Sequence, residues 1–429
     1  MDKKYKWLIV IFFFIFLTFH EADRFIISAV APDVEKEFQI THGQLGLVFS
    51  LTVLVAAILY PVWGYLYDRY SRKLLAGLAA MIWGFTTIFN ALSRTFGEFF
   101  TTRMATGIDD AAPPGIYSLV ADYFEPYDRG KAMGVLSASG PLGSIIGTIL
   151  SLSIVSAGYS WRNAFYITGP IGVLIGIITI LAVKDVPKGS SEPELEGLLT
   201  EDLYKAKLSD LPKLLKNKSL LLLYLQGFWG VFPWNAITFW IITYMELERG
   251  FSADFVMIIM VLWLIAMTAG NLVAGYLGDK LFKKTKRGRA LFGAIVVFFS
   301  AVLIYLTIYA RTTEEFLIFG LLTAFEIPMA GPNVVATITD VTEPELRASA
   351  TGYLRFFENI GSAVSPALTG FLAEGLSLGA AITLISVSTW LLCFVFFLIL
   401  SIIIPRDIDR LRSILRERKA QLKGGESVP

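Results

Sequence analysis

Long apolar runs broken by short charged loops repeat along the whole chain. A bilayer core takes about 20 apolar residues per helix. Twelve segments reach that length, at roughly 6–31, 43–66, 74–92, 98–122, 131–156, 162–183, 218–244, 252–278, 289–309, 314–338, 348–373 and 378–404. The pattern predicts an all-α membrane protein with twelve transmembrane helices, here called spans 1 to 12. Only one polar stretch between spans is long, Lys184 to Lys216, which contains Gly189-Ser190-Ser191 and several acids. It divides the chain into an N-terminal six-helix half (1–186), a linker (187–216) and a C-terminal six-helix half (217–404), with a tail at 405–429. Leu208, Leu211, Leu214 and Leu215 fit either an amphipathic helix lying on the membrane or a solvated connection. The tail is charged at helical spacing, and a solvated helix is expected there.

The basic residues are sorted by loop. Lys36, Arg94, Arg162, Arg249 and Arg311 fall on one side, and Arg24, Arg103 and Arg355 fall within spans, which leaves 29 of the 37 on the other side. Basic residues gather in cytoplasmic loops. Both termini are therefore expected in the cytoplasm, with the protein in the plasma (inner) membrane. The N-terminus leads into an apolar stretch without a small-residue cleavage site, so it reads as span 1 and not as a removed leader.

Composition agrees. Mean hydropathy is +0.62, and 17% of residues are charged, against roughly 25% in soluble domains. A net charge of +1 gives no reason to expect nucleic acid. One cysteine, Cys393, and two histidines, His20 and His42, leave no disulfide framework or zinc site. No cofactor is implied. A membrane protease would need a second catalytic aspartate with its own motif, to match Gly107-Ile108-Asp109-Asp110, and none is evident. Serine and metal constellations are also missing, so an enzyme is not expected.

The chain repeats itself. Gly64-Tyr65-Leu66-Tyr67-Asp68-Arg69-Tyr70-Ser71-Arg72-Lys73 follows span 2, and Gly275-Tyr276-Leu277-Gly278-Asp279-Lys280 follows span 8. Ala121-Asp122 with Arg129 matches Thr339-Asp340 with Arg347, and Gly134 matches Gly352. Two homologous halves suit a carrier that rocks around one central site. These loops, with Arg129-Gly130 and Trp161-Arg162-Asn163-Ala164-Phe165, resemble the motifs of major facilitator transporters over nearly the whole chain. The resemblance implies two pseudo-symmetric six-helix bundles, alternating access, and a gate built from Gly64, Asp68, Arg69, Arg72, Asp279, Arg129 and Arg347. Asp68 is expected to interact across the halves. Asp279 is expected to matter less, because its loop departs from the pattern after Lys280.

Ionisable residues inside spans cost about 2.5–3.5 kcal/mol each on insertion scales. Span 1 carries Glu21, Asp23 and Arg24. Glu21 and Arg24 are three apart and can meet on one face, while Asp23 points elsewhere. Either that trio is structural, with Asp23 bonded to another helix, or Asp23 or Glu21 takes up a proton. Span 4 holds Arg103, Asp109 and Asp110, followed by Pro113-Pro114. Arg103 either snorkels to the surface or serves the site. In span 10, Glu326 precedes Pro328, Gly331 and Pro332, where a broken helix is expected. In span 11, Arg355 and Glu358 can satisfy each other. In span 7, Trp229 and Trp234 either line an apolar cavity or pack between helices. The glycines of span 5 suit close helix approach.

Within the superfamily, Asp23-Arg24 before Ala31-Pro32, and the 64–73 loop, are similar to Spinster-like transporters. Arg103 and Gly107 also match that branch, while Asp109 replaces its Gly and Asp110 its Glu. This resemblance implies that Asp23 and Asp110 are proton-linked, with Glu21 and Glu326 next in line. It implies that Arg24 and Arg103 meet an anionic group or hold those acids, and that the cargo is lipid-like or amphipathic. Asp110-Ala111-Ala112-Pro113 also resembles organic-anion symporters, with one residue inserted, which implies small carboxylates or sugar acids. On either reading the partners are a small molecule, protons and the bilayer, and one chain is the working unit. Arg103, Glu326, Trp229 and Trp234 are expected to surround the cargo, and Arg24, Arg355 and Glu358 are further candidate contacts.

Overall fold

The computed structural model describes residues 3–109, 112–197 and 205–424. Asp110 lies outside the described residues, as does the side chain of Asp109. Among the described residues every regular element is helical. In the N-terminal half, span 1 is Lys3–Ala29, span 2 His42–Arg69, span 3 Arg72–Leu92 and span 6 Arg162–Ala182. Span 4 runs as Phe96–Asp109 and Ala112–Tyr123, and span 5 as Arg129–Ser137 and Ser139–Ser156. In the C-terminal half, span 7 is Lys218–Leu247, span 8 Ala253–Lys284, span 9 Gly288–Ile308 and span 11 Arg347–Gly375. Span 10 is Thr313–Glu326 and Ala330–Val341, separated by a 3-10 turn at Ile327–Met329. Span 12, Leu378–Gly424, continues as helix far beyond Pro405.

Nine of these helices are long and apolar enough to cross a membrane, counted among the described residues. Span 4 resumes at Ala112 with Pro113 and Pro114 in its first turn. A proline there loses no intrahelical hydrogen bond. In span 10, Pro328 sits in the 3-10 turn directly after Glu326, as the sequence leads one to expect.

One large buried cluster draws on residues from Ala206 to Ile408. A second draws on the N-terminal half together with Val335, Ala336 and Ala348. The glycine face of span 5 meets span 1. A Cβ on Gly147 would lie 2.1 Å from the Ala22 carbonyl oxygen, and one on Gly143 would lie 2.5 Å from that of Thr18. This approach fixes the height of the Glu21–Arg24 turn against span 5.

The linker forms a 3-10 turn at Leu208–Asp210 and a short helix at Leu211–Lys216. The tail helix is not free in solvent, contrary to expectation. Ile408, Leu411 and Leu415 are buried, and the last two pack with Leu195 of the linker.

Candidate functional site

A cavity of about 1260 Å³ lies between the two halves. Its lining includes Leu152, Glu246 and Met257, each within a few residues of a span end on the side away from the linker. The cavity therefore reaches toward that side. Glu21, Asp23, Arg24, Arg103, Arg355 and Glu358 all line it.

The charges are arranged in pairs. Asp23 is 2% exposed. It accepts hydrogen bonds from the hydroxyls of Thr87 at 3.1 Å and Thr168 at 2.8 Å, and the Arg103 guanidinium lies 3.7 Å away. Spans 1, 3, 4 and 6 thus converge on one carboxylate. Glu21 and Arg24 meet at 3.4 Å, and Arg355 and Glu358 at 2.7 Å. The Arg355 guanidinium also lies over the Tyr117 ring, 5.9 Å from its centroid. Arg103 is buried and does not reach the surface, which removes the snorkelling alternative. A desolvated carboxylate is stable only with such partners.

Two expected site residues lie elsewhere. Glu326 is not part of the cavity lining. Thr323, Ala324, Ile327 and Pro328 line it, and at 100° per residue position 326 turns to the far side of span 10. Its Oε2 is buried without a hydrogen-bond partner among the described residues. Trp229 packs against Phe228 and Phe232, with ring centroids at 5.0 and 5.1 Å, and is also not in the lining. Trp234 does line the cavity. The two tryptophans are five apart, far enough to part them around the helix.

The linker end is closed. The Asp68 carboxylate accepts from the backbone N–H of Ala348 at 3.0 Å and Ser349 at 2.6 Å, at the start of span 11. Asp279 does the same for Gly130 and Lys131, both at 2.9 Å, at the start of span 5. Each acid meets the positive end of a helix in the opposite half. The expectation that Asp279 matters less finds no support in this geometry. Gly64 allows the contact, since a Cβ there would lie 2.8 Å from the Ala348 carbonyl oxygen and the Ser349 Cα.

Behind these acids lies a buried charge network with the same pseudo-symmetry. Asp122 pairs with Arg72 of its own half and with Arg347 of the other, the latter at 2.8 Å. Asp340 pairs with Arg289 of its own half and lies 3.6 Å from Arg129 of the other. Glu192 of the linker sits between Arg129 and Arg347 and pairs with both. Burial alone would raise the Glu192 carboxyl, but the guanidiniums of Arg129, Arg347 and Arg412 outweigh it and hold it well below its usual range. Arg69 donates to the Ala206 carbonyl of the linker at 3.3 Å and takes no part in the network. Asp122 and Asp340 were visible in the sequence as repeat markers. Glu192 carries no motif, and only its place in the fold reveals it.

A model of the Major Facilitator Superfamily matches residues 11–311. This chain belongs to that superfamily. It is a multi-pass integral membrane transporter, not an enzyme. It is 28% identical to the hexuronate transporter of Bacillus subtilis over 390 residues, which is 87% of this chain and 89% of the relative. Similarity to protein spinster homolog 1 of Xenopus laevis is 29% over 245 residues, or 56% of this chain and 46% of the relative. The match thus spans less than half of the spinster relative. The crystal structure of the human organic anion transporter MFSD10 (TETRAN) superposes with a TM-score of 0.77, covering 92% of this chain and 100% of that one at 15% identity. At that identity the likeness speaks for the fold alone.

Proposed function

We propose that this protein is a proton-coupled symporter of a small organic anion, working by alternating access. The observation that carries the reading is the Asp23–Arg103 pair at the cavity wall. An anionic cargo and Asp23 compete for the same guanidinium. Protonation of Asp23 removes its charge and releases Arg103 to the cargo, so proton and anion bind together. Arg24 and Arg355 offer further positive charge once their own carboxylate partners are screened. Similarity to the hexuronate transporter along both chains supports a cargo of this class.

Residues 1–186 and 217–404 act as the two rocking bodies. The tail moves with the second of them, because Ile408 is part of its buried core and Asp407 accepts from Ser219 of span 7. The basic-residue bias supports cytoplasmic termini in the plasma membrane, and the linker end would then be the cytoplasmic gate. One chain encloses the whole cavity, so one chain suffices.

The second reading, an amphipathic or lipid-like cargo, is favoured by Trp234 in the lining and by the spinster similarity. Uptake into proteoliposomes under an imposed pH gradient tests both. Saturable uptake of hexuronates or other small sugar acids supports the first reading. Stabilisation by lysolipids, with indifference to sugar acids, sinks it in favour of the second.

A further inference from the structure

The tail and linker make contacts that the gate alone does not require. Segment 189–192 is bound to the N-terminal half. Gly189 N–H donates to Asp122 at 3.0 Å, and the Ser190 and Ser191 hydroxyls donate to the carbonyls of Asp122 and Ala121, both at 2.9 Å. The tail is bound to the C-terminal half. It is a continuation of span 12, Ile408 is in that half's core, and Arg418 pairs with Glu343 and Glu345 in the loop between spans 10 and 11. The two segments meet each other. Arg412 pairs with Glu192, and with Glu194 at 2.8 Å. Leu411 and Leu415 form a buried cluster with Leu195.

We propose that linker and tail form a clasp that holds the linker end closed and must release in each transport cycle. The proposal rests on alternating access but not on any particular cargo. One arm follows the first body and the other arm follows the second, so parting the bodies at this end pulls Leu195 away from Leu411 and Leu415. It also strips Glu192 of the Arg347 and Arg412 guanidiniums. A buried carboxylate that loses a partner is strongly destabilised, so the clasp opens as a unit. The tail thereby sets how often the linker end opens, from a position well away from the cavity.

Hydrogen exchange on the full-length protein without cargo tests this. The amides of Ala348 and Ser349, bonded to Asp68 in the closed state, report opening. Leu415→Asp should speed their exchange at least ten-fold. A disulfide between Leu195→Cys and Leu415→Cys, with Cys393→Ser, should slow it at least ten-fold, and a reductant should reverse the effect. Unchanged exchange in both variants overturns the proposal. Faster exchange in Leu415→Asp, with the crosslinked protein no slower than the reduced one, also overturns it, since the tail would then only stabilise the fold. Failure of the crosslink to form in folded protein counts against it as well. Because no cargo is present, a wrong cargo class leaves this result untouched.

Discussion

Asp68 and Asp279 occupy equivalent positions, each holding the second and third backbone amides of a helix in the opposite half, at 2.6 to 3.0 Å. The second copy of the loop departs from the first in sequence, yet its acid makes the same pair of bonds. Hydrogen bonds to charged groups are worth about 1.5–3 kcal/mol each. Asp68→Asn and Asp279→Asn should therefore both shift the protein toward an open linker end, by roughly ten-fold or more in population, and by similar amounts. Distances between spin labels at Tyr70→Cys and Lys284→Cys, both exposed positions, would lengthen in either variant. A shift in Asp68→Asn alone would mean that the Asp279 contacts add little to the closed end.

Close backbone contact at the same gate gives a second prediction. A methyl group on Gly64 would sit 2.8 Å from backbone atoms of span 11, and one on Gly275 would sit 2.2 Å from the Gly130 carbonyl oxygen. Backbone cannot swing aside as a side chain can. Gly64→Ala and Gly275→Ala should each favour the open linker end while the fold persists, read with the same pair of labels. Retention of the closed distance would show that the helices can slide to make room.

The twelve-helix pattern, the repeat and most of the residues that bond across the linker end were legible in the sequence, because insertion physics and duplicated loops leave marks at fixed places. The pairing of Glu21 with Arg24 and of Arg355 with Glu358 follows from helical spacing and is present in the structure. For Asp23 the resemblance implied Arg103 as a holder, but Thr87 and Thr168 were not legible. They come from two further spans, and one sequence carries no record of which helices touch. Glu326 looked like a cavity residue because it adjoins a proline break. The break does not set which way a side chain turns, and Glu326 turns away. The tail looked solvated because its charges dominate, and its buried face consists of a few leucines facing a linker without periodicity.

At the cavity, Asp23→Asn should abolish uptake driven by a pH gradient while leaving cargo exchange partly intact. Thr87 and Thr168 can still bond the amide. Arg103→Ala should weaken binding of a small organic anion at least ten-fold, since a charge-assisted contact is worth about 1.5–3 kcal/mol. Counterflow and gradient-driven uptake, measured side by side in proteoliposomes, separate these outcomes. Full gradient-driven uptake by Asp23→Asn would move the proton site to another acid.

The two tryptophans of span 7 should behave differently. Trp229→Ala removes a half-buried ring packed on Phe228 and Phe232, with an expected loss of stability on the order of 3 kcal/mol and little change in cargo preference. Trp234→Ala should instead change preference among cargoes of different apolar length, with a smaller effect on stability. Thermal-shift series on both variants distinguish packing from lining.

Glu192 gives a prediction about pH. Its carboxyl is held below the usual range by three guanidiniums that outweigh its burial. A depressed folded-state value means that its contribution is fully present above the ordinary carboxylate range of about 4.3, and is lost only as pH falls through the lower folded value. Between pH 5 and 8 the Glu192 contacts should thus hold constant strength. Glu192→Gln should loosen the closed linker end by the same factor across that window, leaving the shape of the transport–pH profile unchanged. A profile whose midpoint moves in this variant would place a coupling proton at the gate.

The charges of span 1 bear on how the protein is made. Span 1 is synthesised before spans 3, 4 and 6, yet Asp23 finds its hydrogen-bond donors on spans 3 and 6 and its guanidinium on span 4. Until those arrive, Glu21, Asp23 and Arg24 in lipid would together cost on the order of 8–10 kcal/mol. The first helix is therefore a poor anchor during synthesis. Its secure lodging in the bilayer waits on hydrogen-bond donors that come 64 and 145 residues later, and the emerging chain depends on the insertion machinery to shelter it meanwhile.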